Sequence, residues 1–514
     1  MSDFKKNAMK KIFKYIWIVL FIGYSTSCDQ NFDDLNTNRV SATDLDAMFQ
    51  INQAIISSSP SSFCNLVYEV GAVQQIISPN SGVLTGANFN QDNRNCTQAN
   101  WQRIYRNVIK NTKDALSRIK DNPARNNLVQ MARIIQAYGF MVLTDSYGSI
   151  PYNQAGAGFS DQIYFPQYDI QEFIYSEIIK ELEEASAALN ATGRRENADV
   201  LFGGDVEKWR KFGYSLLLRA GMRISKANPT LAQQTVAKAF AGGVTTSNED
   251  NVFIRHDANY LNPAGNTLNA TEAANFYLTE PFVNFLKNSN DPRLRSIAVR
   301  YVGATSGPEQ TVARQSIDPA LQIGMPMGND NSGAVEAAAN LGLASFYDFS
   351  QVDRRRMAKL TGPSFIATAS QSLLLLAEAR QLGWITAGTA QDYFHQGIRA
   401  HMQQMEQFDE SMEIPSADIE TYIAANPLDD ATAIRQFNEQ YWISSFMNGP
   451  EAYANFRRSG FPVLAPNPFP GREVLFINRL TYPNSEISVN QENVNAAIAA
   501  QGPDDLETRV WWHK

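Results

Sequence analysis

Histidine and cysteine are scarce: the 514 residues include four of the first and three of the second, which leaves few ligands for a metal centre. The chain contains no HExxH, Walker loop, GxSxG elbow or CxxC. The commonest metalloprotease, nucleotide-binding, serine-hydrolase and dithiol signatures are therefore excluded. Basic residues are outnumbered, 44 Lys and Arg against 52 Asp and Glu, for a net charge of -8. An acidic surface repels phosphate, which argues against a nucleic-acid partner. No apolar run reaches the roughly 20 residues of a membrane-spanning helix, and the ten-residue alternation of a transmembrane barrel is missing. Core material, by contrast, is plentiful at 44% hydrophobic and 11% aromatic residues, which excludes wholesale disorder.

The basic residues that are present cluster at the start. Lys5, Lys6, Lys10, Lys11 and Lys14 precede the most apolar segment, Tyr15 to Tyr24 (YIWIVLFIGY). That segment is too short to span a bilayer but has the form of a secretory signal behind a basic region; Met9 would serve as its start as well as Met1. Ser25, Thr26 and Ser27 are small, as a signal peptidase requires, and Cys28 follows, where a thiol can be acylated. Residues 1–27 are thus expected to be a lipoprotein signal peptide and residues 28–514 a single mature domain, lipid-attached at Cys28. Removing five lysines and Asp3 takes the net charge from -8 to -12. Cys64 and Cys96 remain, either as a disulfide, which an exported chain permits, or as two buried thiols.

Apolar residues recur at helical spacing through most of the body. In 205–226, Trp209, Phe212, Leu216, Ala220 and Ile224 form one stripe, with Asp205 as cap and Asn228-Pro229 as stop. Further helices are expected near 98–120, 126–145, 169–189, 230–241, 364–382, 389–406, 430–447 and 450–458, and a short strand at 251–255. Trp209-x2-Phe212-Gly213-x2-Leu216 with Ala232-x3-Val236 fits a tetratricopeptide helix pair. Ile434-x2-Phe437-Asn438 with Ala452-x3-Phe456, and Ala390-x3-Phe394-x2-Gly397, give similar halves. The expected class is mainly α, with degenerate tetratricopeptide-like pairs and long irregular stretches near 78–97, 256–275 and 302–350. Loops of that length are where function is sought.

Little here suggests catalysis or a cofactor. His395 and His401, six apart, fall on opposite sides of a helix and read as surface groups. Asn329 to Gly333 (NDNSG) lacks the spaced acids of a calcium loop and reads as a plain turn. Glu378 reads as a helix-packing polar group, and the acids at 486, 504, 505 and 507 as a solvated cap and tail. No catalytic residue, metal ligand or cofactor is assigned. What remains is rings beside amides in loops: Phe89 and Asn90, Tyr260 and Asn262, Phe276, Phe346 and Tyr347. Sugar C–H faces stack on rings while hydroxyls take amide partners, and peptides can be held similarly.

Taken together, the motifs resemble the SusD/RagB family of nutrient-binding outer-membrane lipoproteins. The resemblance runs in order through the mature chain. It starts with Cys28 and Phe32 to Asn38, continues through Tyr147 to Tyr152 (YGSIPY) and Tyr168-Asp169, and reaches the Gly204-Asp205, Lys208-Trp209, Lys211-Phe212, Leu218-Arg219 helix. Asn290 to Leu294 (NDPRL), Ala377-Glu378-Ala379 with Gly383-Trp384, and Gln440 with Trp442 follow. Glu451-Ala452, Arg457 to Pro462 (RRSGFP), Arg479-Leu480, Tyr482-Pro483 and Val510-Trp511-Trp512 complete it. Ser25 stands where a strict lipobox carries leucine, and Tyr441 where the family often has lysine. The resemblance implies a binding protein without catalysis, on the surface of a Gram-negative, Bacteroidota-type cell. It would capture an oligosaccharide, or alternatively an oligopeptide, and deliver it to a SusC-like TonB-dependent outer-membrane transporter. A surface glycoside hydrolase is the remaining alternative, and needs two facing carboxylates roughly 5 to 9.5 Å apart.

Overall fold

The computed structural model describes residues 45–514 other than 81–85, 159–160, 271, 470 and 472–473. Ala47–Lys514 forms one compact unit. The expected signal segment and Cys28 lie outside the described residues. Among the described residues, no helix is long and apolar enough to cross a membrane.

The unit is built of consecutive helix pairs. Asn126–Tyr147 packs on Gln171–Ala188, which also lies against Val206–Arg223, and that helix pairs in turn with Pro229–Gly242. Ala369–Gln381 packs on Ala390–Phe408 and on Ala433–Ser444, which is followed by its neighbour Gly449–Ser459. Their ends are set by local chemistry. Asp205 accepts from the backbone N–H of Glu207 and Lys208 at 3.0 and 3.1 Å, and Asn228 accepts from Leu231 at 3.1 Å just ahead of Pro229. Gly460, left-handed at φ 83°, ends the 449–459 helix.

The residues of the tetratricopeptide pattern do what small and bulky positions in such a pattern should. Trp209, Phe212, Leu216, Ala232, Val236 and Ala239 are all fully buried. A Cβ on Gly397 would lie 2.8 Å from Leu374 Cγ, so the bare glycine sets the approach of the 369–381 and 390–408 helices. Asn438, which stands in its repeat where Gly213 stands in the first, is instead buried in a polar network described below.

Several expectations need correction. Residues 364–367 are a strand, not the start of a helix: Ser364–Ala367 pairs antiparallel with Val252–Ile254, and Thr368 then caps the helix by accepting from Gln371 N–H at 3.2 Å. The stretch 302–350 contains the helix Asn331–Asn340, and Asn329 to Gly333 is its beginning and not a plain turn, because Asp330 accepts from Gly333 N–H at 2.8 Å. Helices at Ala47–Ser57, Glu280–Asn288, Ser416–Ala425 and Gln491–Gln501 were not anticipated. Cys64 and Cys96 are both free and buried, which decides between the two readings of that pair.

Short antiparallel ladders brace the irregular side. Ile76–Ile77 pairs with Tyr277–Leu278, and Ala298–Tyr301 lies between Gln315–Ser316 and Gln351–Val352. These ladders brace the loops near Phe276, Phe346 and Tyr347.

Candidate functional site

Inside the helical body many of the charged groups pair with one another. Arg223 donates to Glu451 Oε2 at 2.7 Å and lies 3.3 Å from Asp145 Oδ2, while Arg219 Nε is 3.2 Å from Glu451. Tyr441 donates to Glu451 at 2.8 Å, and Trp512 Nε1 to Asp145 at 3.0 Å. Burial pushes the Glu451 carboxyl up, but Arg219 and Arg223 outweigh it and hold the group below the usual range. Glu378 accepts from both Arg458 nitrogens at 2.7 and 2.8 Å and from Asn438 at 3.1 Å.

Three groups expected at the surface are drawn into side-chain contacts. His401 shares the buried face of its helix with Phe394, Gly397 and Ile398, three and four residues before it or one turn further. Its Nδ1 takes a hydrogen bond from Arg293 at 3.0 Å, and burial with the Arg293 cation drives its pKa well down, so the ring is neutral. Asp504 is not a solvated tail residue: it pairs with Arg94 at 2.7 Å and with Arg479. Glu486 likewise accepts from Tyr168 at 2.9 Å. These are largely the family-motif residues, and their side chains hold helices together.

The sequence-selected ring and amide residues occupy three places. Phe89 is 3% exposed and packs edge-on to Phe469 at 3.8 Å, and Asn90 donates to the carbonyls of Val474 and Leu475 at 2.8 and 2.9 Å. Tyr260 stacks on His256 at 5.4 Å, and its hydroxyl donates to Ile56 O at 3.0 Å. Asn262 is buried, caps the short helix Pro263–Asn269 and donates to Gly362 O at 2.9 Å. In these two places the rings and amides are engaged in loop packing.

The third place joins Phe346 and Tyr347, while Phe276 is packed into the main core. Phe346 and Tyr347 are half-buried and stack on each other with centroids 4.2 Å apart at 29°. They sit in the turn Phe346–Asp348, which is anchored at both ends. Ser345 accepts from Tyr347 N–H at 3.0 Å and donates to Ala304 O at 2.7 Å, and Asp348 accepts from Arg300 at 2.9 and 3.2 Å. The edge of Tyr277 faces Phe346 at 6.2 Å. A Cβ on Gly307 would lie 3.0 Å from Ala274 Cβ, so the 302–310 and 272–276 loops touch beside the rings. Phe276 is buried, and its carbonyl accepts from Gln351 at 3.0 Å.

Around the rings stand polar atoms that the protein itself does not use. Gln310 donates to Tyr347 O at 2.9 Å while its Oε1 has no partner, and the same holds for Oε1 of Gln351. Arg354 donates to the Tyr301 hydroxyl at 3.2 Å and lies over that ring at 5.4 Å, with its Nε unpartnered. A half-buried stacked aromatic pair held in an anchored turn is suited to a ligand that presents an apolar face, while the unpartnered Gln310, Gln351 and Arg354 atoms lie buried behind it. The open depression of about 490 Å³ beside the 390–408 helix, lined by Gln396, Arg399, Gln403 and Glu406 among others, has no ring in its wall.

Gln310, Gln351 and Arg354 carried no signal in the sequence, because they reach the rings only through contacts between distant loops. Tyr164 and Phe165, 68% and 58% exposed, were also passed over. Adjacent aromatics ahead of Pro166 were the available sign.

The fold is a scaffold of consecutive helix pairs with irregular loops braced by short antiparallel ladders. The chain belongs to the SusD-like family described as starch-binding and associating with the outer membrane, whose model matches residues 37–483. Among solved structures it is similar to a chitin-binding protein at 29% identity, with a TM-score of 0.79 over 91% of this chain and 99% of the other. A SusD-like protein described as Bacteroidetes AC2a shares 23% identity at a TM-score of 0.80, covering 91% and 100%. A chitin-binding SusD homologue from Flavobacterium johnsoniae shares 23% at 0.70, covering 91% and 95%. No curated protein matches the chain.

Proposed function

We propose that the chain is a lipid-anchored, cell-surface glycan-binding protein that captures oligosaccharides and passes them to a SusC-like TonB-dependent transporter. The observation that carries this reading is the 29%-identical chitin-binding protein, matched over nearly its whole length. It makes β-linked N-acetylglucosamine oligomers the first ligands to try. Tyr347 and Phe346 would stack on pyranose faces, with the half-buried Gln310 and Arg354 as the nearest polar side chains to meet hydroxyl or acetamido groups. Anchoring at Cys28 would keep the bound sugar close to the transporter at high effective concentration.

The pairing of the interior carboxylates weighs against the hydrolase reading. Glu378 is clamped by Arg458, and Glu451 by Arg219 and Arg223, so neither is available as an acid or nucleophile. The test is a panel of chitin, starch and peptide oligomers incubated with the full chain. Retention of intact chitin oligomers with no new reducing ends supports the proposal. Retention of peptides alone would transfer the role to oligopeptides, and released sugar would restore the hydrolase.

A further inference from the structure

Among the described residues, Arg457 and Arg103 both lack an ion pair; Arg457 lies over the Tyr453 and Trp512 rings and donates to the carbonyls of Tyr453 and Asn478 at 3.2 and 2.9 Å. Arg219, Arg223, Arg293 and Arg458 each meet a carboxylate. Arg103, on the helical run 94–119, is half-buried, donates from Nε to Ser57 O at 3.1 Å and forms no ion pair among the described residues. It borders a cavity of about 20 Å³ whose wall includes Asn100, Ser59, Ser61 and Tyr138. Asn100 is 3% exposed, and its Nδ2 has no hydrogen-bond partner. Ser59 shares its hydroxyl with His256 Nε2 at 3.3 Å. Each of these polar side chains can donate a hydrogen bond, and no carboxylate lines the cavity.

We propose that this cavity is a site for one small inorganic anion of halide size, held by the Arg103 guanidinium, the Asn100 amide and the serine hydroxyls. The volume exceeds the roughly 10–15 Å³ needed for one water-sized occupant and is far below that of a sugar. Burial works against the Arg103 charge, and only the phenols of Tyr260 and Tyr138 lie on the favourable side. The carboxyls whose fields reach Tyr138 do not compensate it. Glu451 is committed to Arg219 and Arg223, and burial pushes Glu69 up to about 8, leaving it mostly protonated near neutrality. A buried cation left unpaired is costly, and an anion removes that cost.

The test compares the full chain with Arg103→Met in sodium bromide and in sodium gluconate at equal ionic strength. Bromide should widen the Tm gap between the two proteins by about 1–2 °C, and crystals grown in bromide should show an anomalous peak in the cavity. An unchanged gap, or water in the cavity with no anomalous signal, would overturn the proposal. If Arg103→Met does not fold, Arg103→Lys and the anomalous map of the unaltered protein decide the question.

Discussion

Glu378 and Tyr347 illustrate how the same residue types take opposite roles. Glu378 carries the chemistry of a catalytic acid, yet it is 5% exposed and held by two nitrogens of Arg458, so its work is to join helices. Tyr347 is an ordinary loop aromatic, yet it keeps part of its ring exposed beside unpartnered amide atoms. Glu69 differs from both. It is 1% exposed, neither carboxyl oxygen has a hydrogen-bond partner, and burial raises its pKa to about 8 against the opposing pull of Arg457. Between pH 4.5 and 8 the folded protein thus holds a proton that the unfolded chain has lost. More protons bound in the native state means that stability falls as pH rises through this window, by up to about 1.4 kcal/mol per pH unit from this one group. Denaturant midpoints measured from pH 5 to pH 8 should drop for the unaltered protein and drop less for Glu69→Gln. Parallel curves would show that Glu69 is ionised throughout.

At the scale of elements, the long amphipathic helices were legible because one burial stripe repeats over many turns and polar caps mark the ends. The 126–145 expectation met a helix at Asn126–Tyr147, and 389–406 met Ala390–Phe408. Residues 364–367 misled because SFIA is as apolar as the helix that follows, and only the partner strand Val252–Ile254, over 100 positions away, makes it a strand. The alanine-rich Asn331–Asn340 helix was hidden among glycine and asparagine for want of a strong stripe. The candidate site was legible only in part, since the stacked pair is adjacent in sequence while Gln310 and Arg354 arrive by tertiary contact. Helix pairing itself yields a prediction. Gly397→Val should cost about 2–3 kcal/mol, because its side chain would overlap Leu374. Leu374→Ala in the same chain should cost less than the sum of the two single changes. Additive losses in chemical denaturation would mean that the helices do not depend on that contact.

For the molecule as a whole, the proposed anchor at Cys28 would hold at the membrane an acidic helical body whose loops carry the Phe346–Tyr347 pair. Cys28→Ala should move the protein from the membrane fraction to the soluble fraction without altering its Tm, as read by fractionation and immunoblot. Full retention on the membrane would remove the lipid anchor from the proposal. The central claim is that the Phe346–Tyr347 face binds glycan. The most direct measurement is calorimetric titration of the full chain and of Tyr347→Ala with a chitin oligomer. The account predicts saturable binding that weakens about tenfold or more in Tyr347→Ala, from the loss of roughly 1–2 kcal/mol of ring stacking, at unchanged Tm. Equal affinity in both proteins, or no heat from the chitin oligomer where an oligopeptide binds, would contradict it.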